Sequence, residues 1–294
     1  MPPRSEHVPV LLAEVLEGLD PQSGQTFVDG TLGGGGHTRA IAERVGPTGL
    51  VVSFDRDPAA IDAGRESLAG LPVRVVHANY RDIKQVLAEL EVSQVNGVLL
   101  DVGLSSDQLA DRLRGFSFEA DGELDLRFDT SEGEPASSLV NRLKETALAD
   151  LIFQLGEERF SRRIARRIVE QRQKQRIETA SELAEIVRRC VPRSADTRRI
   201  DPATRTFQAL RIAVNDELGA LDQALADVPD CLAPGGRMAV ISFHSLEDRR
   251  VKEAFRGDER WERLTKKPLR ASEREAADNP RSRSAKLRIA ARRA

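Results

Sequence analysis

A glycine-rich segment, Phe27-Val28-Asp29-Gly30-Thr31-Leu32-Gly33-Gly34-Gly35-Gly36-His37, links an apolar run to a helical pattern. The run ends at Asp29, and Ile41, Ala42 and Val45 then fall on one helical face. Glycines permit a tight turn and let a ligand approach the main chain. The free N–H groups at the start of the helix would face that ligand. The segment predicts a strand, a ligand-binding turn and a helix, with a flexible surface loop as the alternative.

The composition is that of a globular protein with no strong overall charge. The chain has 294 residues, of which 40% are hydrophobic and 31% charged, and its net charge is −2. This length predicts two domains, and any nucleic-acid binding must come from local basic patches. Cys190 and Cys231 lie in apolar helical patterns, which predicts buried thiols in a reducing compartment and no metal site. Because the N-terminal segment does not resemble a signal peptide and no apolar run reaches about 18 residues, we expect a cytoplasmic protein.

Apolar segments alternate with helical patterns in the first third of the chain, at residues 26–28, 51–55, 73–78 and 95–101. Asp57 and Pro58 have the residue types of a helix N-cap and first helical position. Continuous apolar strands that alternate with helices indicate a parallel sheet covered on both faces.

The alternation then stops until a strand predicted at 237–243. The long gap shows helical patterns, including a capping box at Thr179 and Glu182 and an apolar stripe from Phe207 to Leu225. We predict a Rossmann-like α/β sheet domain interrupted by an all-helical insertion that binds RNA. The predicted limits are 1–108 and 214–294 for the sheet domain and 109–213 for the insertion. We also predict a helix end and turn at 231–236, and a final antiparallel strand pair at 261–264 and 286–290, separated by a polar loop.

Acidic residues end the first two predicted strands, which suits a cofactor that contains adenosine. The Asp55 carboxylate is placed to accept hydrogen bonds from ribose hydroxyls. A dinucleotide would require G-x-G-x-x-G, but Thr38 occupies the last glycine position. S-adenosylmethionine has no phosphate, and Asp29 suits its positive sulfonium and would repel a pyrophosphate. The pattern therefore favours S-adenosyl-L-methionine.

The chain resembles the ribosomal RNA small-subunit methyltransferase H family, also called the MraW family, from end to end. The matching segments are His7-Val8-Pro9-Val10-Leu11-Leu12, Asp29-Gly30-Thr31, Gly35-Gly36-His37, Asp55-Arg56-Asp57-Pro58, Leu100-Asp101-Val102-Gly103-Leu104-Ser105-Ser106, Gly115-Phe116-Ser117-Phe118, Ala203-Thr204-Arg205-Thr206-Phe207-Gln208-Ala209, Ser242-Phe243-His244-Ser245-Leu246-Glu247-Asp248-Arg249 and Asn279-Pro280-Arg281. The resemblance implies an S-adenosylmethionine-dependent methyltransferase sheet with a helical insertion. It also implies methylation of the N4 amine of a cytidine in the decoding region of 16S ribosomal RNA, within the small ribosomal subunit.

The resemblance implies a set of site residues. Methyl transfer requires no metal, and no Cys or His spacing in the sequence suggests zinc. The cofactor contacts that it implies are Gly35, Gly36, His37, Asp55, Tyr80, Asp101 and Gln108. The main chain at 35–37 would hold the methionine portion, and the Tyr80 ring would stack on adenine, with a packing role as its alternative.

Asp101 is the predicted catalytic residue. A carboxylate that accepts an N–H of the cytosine amine would favour pyramidalisation and direct the lone pair at the methyl group. Many amine methyltransferases carry Asn/Asp-Pro-Pro-aromatic at this place, whereas this chain has Asp101-Val102-Gly103-Leu104. The departure leaves a second interpretation open, in which Asp101 contacts only the cofactor.

Basic side chains predict the RNA surface, with an ordinary solvated face as the alternative. They are Arg159, Arg162, Arg163, Arg166, Arg167, Arg172, Lys174, Arg176, Arg188, Arg189, Arg193, Arg198 and Arg199, and in the tail Arg281, Arg283, Lys286, Arg288, Arg292 and Arg293. Phe116 and Phe118 are candidates for stacking on an extruded base, and His244 for contact with the base or a phosphate; each has a structural alternative.

Two further functions remain open from sequence. One is a methyltransferase for DNA or another amine, and the other is a non-catalytic RNA-binding protein that senses the adenosyl ligand. The oligomeric state is also open, with a homodimer as one candidate.

Overall fold

The computed structural model describes residues 8–111, 113–117, 122–192 and 201–294. The chain forms two compact units, which divide between Ser106 and Asp107 and again between Glu217 and Leu218. The sequence analysis placed domain limits after residues 108 and 213. That these limits separate domains of different function stays a prediction.

The first unit contains a seven-stranded sheet. Its strands are β1 Thr26–Asp29, β2 Leu50–Asp55, β3 Val73–His77, β4 Val95–Asp101, β5 Leu232–Ser242, β6 Trp261–Arg263 and β7 Lys286–Arg292. They lie in the order β3-β2-β1-β4-β5-β7-β6. Neighbours from β3 to β5 are parallel, while β7 is antiparallel to both β5 and β6. The predicted parallel sheet and the final antiparallel pair are confirmed.

Helices alternate with the strands and continue through the second unit. They are α1 Leu12–Leu19, α2 Gly36–Val45, α3 Pro58–Ser67, α4 Ile83–Glu89, α5 Ser106–Ala110, α6 Ala136–Arg142, α7 Glu145–Gly156, α8 Ser161–Arg172, α9 Ala180–Cys190, α10 Thr204–Asn215, α11 Glu217–Cys231, α12 Ser245–Gly257 and α13 Glu273–Asp278. The capping box of α9 and the N-cap of α3 form as predicted. None of the described helices has the length and hydropathy of a membrane span.

Alternate side chains of each central strand enter different cores, because successive residues of a strand point to opposite faces. Phe27 of β1 packs with α1 and α2, whereas its neighbour Val28 packs with α4, α11 and α12. The sheet is thus covered on both faces, and the carboxyl ends of its parallel strands share one edge. At that edge β1, β2 and β4 end at Asp29, Asp55 and Asp101.

Three sequence-based expectations are wrong in detail. The strand predicted at 237–243 begins at Leu232, because Leu232 pairs with Val95 before a bulge at the Pro-Gly-Gly sequence. The stripe from Phe207 to Leu225 is broken at Asp216, whose φ of 48° ends α10. The polar loop between β6 and β7 contains α13.

The second unit is helical where the described chain is regular, and one buried amide fixes its non-helical segment. Asn215, at the end of α10, donates to Leu126 O at 2.7 Å and accepts from the N–H of Phe128 at 2.8 Å. These bonds satisfy main-chain groups where Leu126 has a φ of 64°.

Candidate active site

The glycine-rich turn begins where β1 ends and is fixed by hydrogen bonds to both neighbouring strands. Gly30 N–H donates to Leu99 O of β4 at 2.9 Å, and Leu32 N–H donates to Phe54 O of β2 at 2.7 Å. Gly35 caps α2 with a φ of 78°, a left-handed conformation that favours glycine. The turn thereby brings the N terminus of α2 to the carboxyl edge of the sheet.

Asp29 is fully buried and holds the turn from within. Its Oδ1 accepts from the Thr31 N–H at 3.1 Å and the Thr31 hydroxyl at 3.3 Å, and its Oδ2 accepts from the Thr38 hydroxyl at 2.7 Å. Burial raises the pKa of Asp29 to about 6, although the hydrogen bonds from Thr38 and Thr31 oppose that rise. We expected Asp29 to suit a sulfonium directly. In the structure both Asp29 oxygens accept hydrogen bonds from the turn and from α2. Its negative charge therefore acts on a ligand at this edge through space and not through a hydrogen bond.

Asp55 keeps hydrogen-bonding capacity for a ligand. Its Oδ2 accepts from Gly33 N–H at 2.8 Å, and its Oδ1 accepts from Asp57 N–H at 2.9 Å. Burial raises the pKa of Asp55, and the N–H groups of Asp57, Gly33 and Arg56 act against that rise. Since a carboxylate offers about four acceptor positions, these three donors leave about one for a ligand. This arrangement fits a ribose hydroxyl, and the contact itself stays a prediction.

Asp101 is joined to the turn by its main chain and has an unsatisfied oxygen. Its N–H donates to Thr31 Oγ1 at 2.7 Å, which ties the end of β4 to the turn. The side chain is 15% exposed, and Oδ1 is buried without a hydrogen-bond partner in the part of the chain that the structure describes. A buried carboxylate oxygen without a donor is costly. A hydrogen bond from a ligand N–H or O–H to this oxygen would remove that cost and so contribute favourably to binding.

The charges around Asp101 are mostly negative. Burial raises the pKa of Asp101 to about 7; the charge of Arg281 lowers it, and those of Asp29 and Glu247 raise it. His37 Nε2 lies 3.7 Å from Asp101 Oδ2. An edge with this surplus of carboxylates attracts a cation and disfavours a pyrophosphate.

The remaining predicted contacts are not all in the same unit. Tyr80 is half-buried in the 3-10 turn Tyr80–Asp82, and its Cβ would be 2.9 Å from a Cβ added to Gly30. Gln108 is buried within α5 of the second unit, and its role stays a prediction. The structure brings six predicted residues to one edge of the sheet: Gly35, Gly36, His37, Asp55, Tyr80 and Asp101. Within the described ranges, no group of three or more His, Cys, Asp or Glu side chains is arranged to hold a metal ion.

His244 and Phe116 have the structural roles that were their alternatives. His244 caps α12, with Nε2 2.9 Å from Glu247 Oε1. Phe116 is 6% exposed and stacks on Phe128 with ring centroids 6.0 Å apart. Phe118 lies outside the described residues, as does His7 of the first matching segment.

The basic tail is largely bonded within the first unit. Asp248 accepts from Arg288 at 2.7 Å and from Lys286 at 3.1 Å. Arg293 donates to Trp261 O at 3.1 Å, and Arg292 donates to Leu232 O. These cations bond to segments that pack against β7, and phosphate binding by the tail stays a prediction.

The basic face of α8 is more exposed. Arg162 and Arg163 are exposed, with no ion pair to another described residue, while Arg166 lies 3.6 Å from Glu145 and Arg167 3.0 Å from Glu170. Arg193, Arg198 and Arg199 lie outside the described residues.

Comparison with known proteins identifies the family. Residues 4–293 match the MraW methylase family. The chain belongs to this family. It is 53% identical to a Deinococcus radiodurans protein named "Ribosomal RNA small subunit methyltransferase H", over 99% of this chain and 91% of that one. It is 51% identical to a Rhodopirellula baltica protein of the same name, over 98% and 92%. A crystal structure of a candidate rRNA-methylase from Clostridium thermocellum has a TM-score of 0.50 at 14% identity, over 97% of this chain and 98% of that one.

Membership in the MraW methylase family confirms the resemblance and the predicted cofactor, S-adenosyl-L-methionine. The Clostridium thermocellum structure supports the fold alone, which is the predicted Rossmann-like methyltransferase sheet. The edge fits the cofactor on its own evidence, because its carboxylates favour a sulfonium and Asp55 retains an acceptor position.

Sequence reasoning missed two residues that build this methylase site. Thr31 joins Asp29 to the main chain of Asp101. Arg281, which the sequence analysis placed in a family-matching segment and a basic tail without a role in the site, donates to Leu104 O in the loop after β4. The Asn279-Pro280-Arg281 match to the family was the signal that pointed to Arg281.

Proposed function

We propose that the protein transfers a methyl group from S-adenosylmethionine to the N4 amine of a cytidine in the decoding region of 16S ribosomal RNA. The names of its relatives support ribosomal RNA of the small subunit as the substrate. The observation that carries the choice of an amine is the Asp101 carboxylate at the edge of the sheet, whose side chain is 15% exposed and whose Oδ1 has no donor among the described residues. An exocyclic amine has the N–H that this oxygen lacks.

Each residue at the edge of the sheet would bind a different part of the cofactor. The main chain at Gly35, Gly36 and His37 holds the methionine portion, Asp55 binds the ribose and Tyr80 stacks on adenine. The family resemblance adds Gln108 as a further candidate for contact with the cofactor. When bound, S-adenosylmethionine supplies a methyl group activated by a positive sulfonium.

Asp101 orients the nucleophile. The lone pair of a cytosine amine is delocalised into the ring, so the amine is a weak nucleophile. When the carboxylate accepts one N–H, it favours a pyramidal nitrogen whose lone pair points in line with the bond from carbon to sulfur. The same carboxylate stabilises the positive charge that develops on nitrogen, and it is placed to receive the proton that the methylated amine releases. Positioning and charge thus supply the rate enhancement.

The helical unit supplies the RNA contacts in this proposal. Arg162 and Arg163 on α8 are exposed and make no ion pair to another described residue, so they are available to phosphates. The target base is read after leaving its stack, as base-modifying enzymes require. A small-subunit substrate agrees with a cytoplasmic protein with buried thiols, while the homodimer remains a prediction.

The test uses small ribosomal subunits that lack this modification. They are incubated with the protein and S-adenosylmethionine carrying a deuterated methyl group, and the digested nucleosides are analysed by mass spectrometry. We expect the label on N4 of a single cytidine, and an initial rate of labelling about 10²–10³-fold lower with Asp101→Asn. Label on cytosine C5, on ribose or on single-stranded DNA alone would reject the proposal, as would the absence of label.

A further inference from the structure

Arg281 differs from the other tail arginines because it reaches the catalytic edge. It is half-buried, and its guanidinium donates to Leu104 O, in the loop that directly follows Asp101. The two residues are 177 positions apart in the chain. This bond therefore connects the segment before β7 to the loop after β4.

The segment that carries Arg281 is itself anchored. Ser282 is 1% exposed, and its hydroxyl donates to Asn279 O at 2.8 Å. Asn279 Nδ2 donates to Val8 O at 3.1 Å. The guanidinium thus extends from a backbone held on both sides of the residue, which limits the positions that it can take.

The charged groups around Asp101 come from four elements. Asp29 of β1 and Glu247 of α12 contribute negative charge, while His37 of α2 has Nε2 3.7 Å from Asp101 Oδ2. Arg281, from the turn Pro280–Ser284, contributes positive charge. Burial and two acidic neighbours thus favour the neutral carboxylic acid, and the guanidinium opposes them.

We propose that Arg281 is a positioning residue for methyl transfer, which fixes the loop at Leu104 and adds a positive charge to the acidic groups around Asp101. The inference rests on the proposed function of Asp101 as the acceptor of the amine N–H. A protonated Asp101 would present a donor on one of its oxygens and could not accept the proton of the product. Arg281 thereby sets the pH at which the site becomes competent.

The consequence is a change in titration when the charge is removed. An opposite charge close to a carboxyl lowers its pKa by about 1–3 units. Without the guanidinium, burial and the carboxylates of Asp29 and Glu247 act on Asp101 unopposed. The pKa of Asp101 should therefore rise in Arg281→Gln, and the acid limb of the kcat profile should move with it.

The experiment compares Arg281→Gln, Arg281→Lys and Arg274→Gln with the wild type. Arg274 is a matched control, because its side chain is 93% exposed on the neighbouring helix α13. Carbon-13 NMR of labelled aspartate, assigned with Asp101→Asn, follows the Asp101 carboxyl in the cofactor-free protein. The pH profile of kcat for small subunits is the second measurement, and thermal melts verify folding.

We expect the Asp101 titration and the acid limb to rise by at least about one pH unit in Arg281→Gln. Arg281→Lys keeps the titration near that of the wild type and lowers kcat, since an ammonium cannot reproduce the fixed guanidinium geometry. Arg274→Gln changes neither. An unmoved Asp101 titration in Arg281→Gln overturns the proposal. If Arg281→Gln does not fold, the proposal is overturned by a shift of about one pH unit in the Asp101 titration of Arg281→Lys. Failure of the proposed function shows separately, as a wild type that titrates as expected but does not label cytidine N4.

Discussion

Replacing Asp101 by Asn should stabilise the cofactor-free protein while it removes activity. The carboxyl is buried at the end of β4, its Oδ1 has no hydrogen-bond partner among the described residues, and burial raises its pKa to about 7. An amide of nearly the same shape removes the charge that this site disfavours. Because the acceptor for the amine is also lost, kcat should fall by about 10²–10³.

The size of the stabilisation depends on pH. Below about pH 4 the carboxyl is protonated in both folded and unfolded chains, and its contribution to stability is fully present. As the pH rises, the unfolded chain loses this proton first, so stability is lost until the folded carboxyl also ionises near pH 7. A pKa raised from 3.8 to about 7 lowers the free energy of unfolding, relative to low pH, by about 4 kcal/mol at pH 8 and by about 1.5 kcal/mol at pH 5. Asn cannot ionise, so its advantage should grow by about 2.5 kcal/mol between pH 5 and pH 8.

Urea denaturation of the cofactor-free wild type and Asp101→Asn at both pH values measures this difference. The comparison cancels any cost of accommodating the amide, because that cost is the same at pH 5 and pH 8. Asp62→Asn is the control, since it makes the same replacement at a side chain that is 81% exposed. An advantage of Asp101→Asn that does not grow with pH would refute the buried, high-pKa carboxylate.

Three further predictions concern the fold and the RNA surface. Gly30→Ala places a Cβ 2.3 Å from Leu100 Cδ2 and should lower the free energy of unfolding by about 1–3 kcal/mol; an unchanged urea midpoint would contradict this packing. Asn215→Ala removes the hydrogen bonds to Leu126 O and from Phe128 N–H and should lower the free energy of unfolding by about 2–4 kcal/mol. The expected sign is faster proteolysis within 107–217. Resistance to proteolysis equal to that of the wild type would contradict the role of Asn215 in holding this segment. Neutralising the exposed face of α8 should weaken RNA binding and reduce the slope of log affinity against log salt by up to about 0.7–0.9 per lost phosphate contact; an unchanged slope would exclude this face. The residues to replace by Gln are Arg162, Arg163, Arg166 and Arg167.

The sequence predicts the acidic edge well because its signals are local. Asp29, Asp55 and Asp101 each end a mostly apolar run, and such runs form parallel strands whose carboxyl ends share one edge. The turn at Gly35 is equally local, since its glycines mark where positive φ is needed.

The rest depends on contacts between distant residues. Thr31 accepts from the N–H of Asp101, 70 positions away, and nothing near Thr31 indicates that partner. At Leu232, glycine and proline locally favour a turn, yet pairing with Val95 across a bulge keeps the segment in β5. The break at Asp216 is also hidden, because the apolar spacing continues through it.

The most direct test is a crystal structure with S-adenosylhomocysteine, the demethylated product. We expect adenosine between Asp55 and Tyr80, with the sulfur facing the Asp101 carboxylate across a gap wide enough for one amino group. A ligand bound elsewhere, or one whose sulfur points away from Asp101, would contradict it.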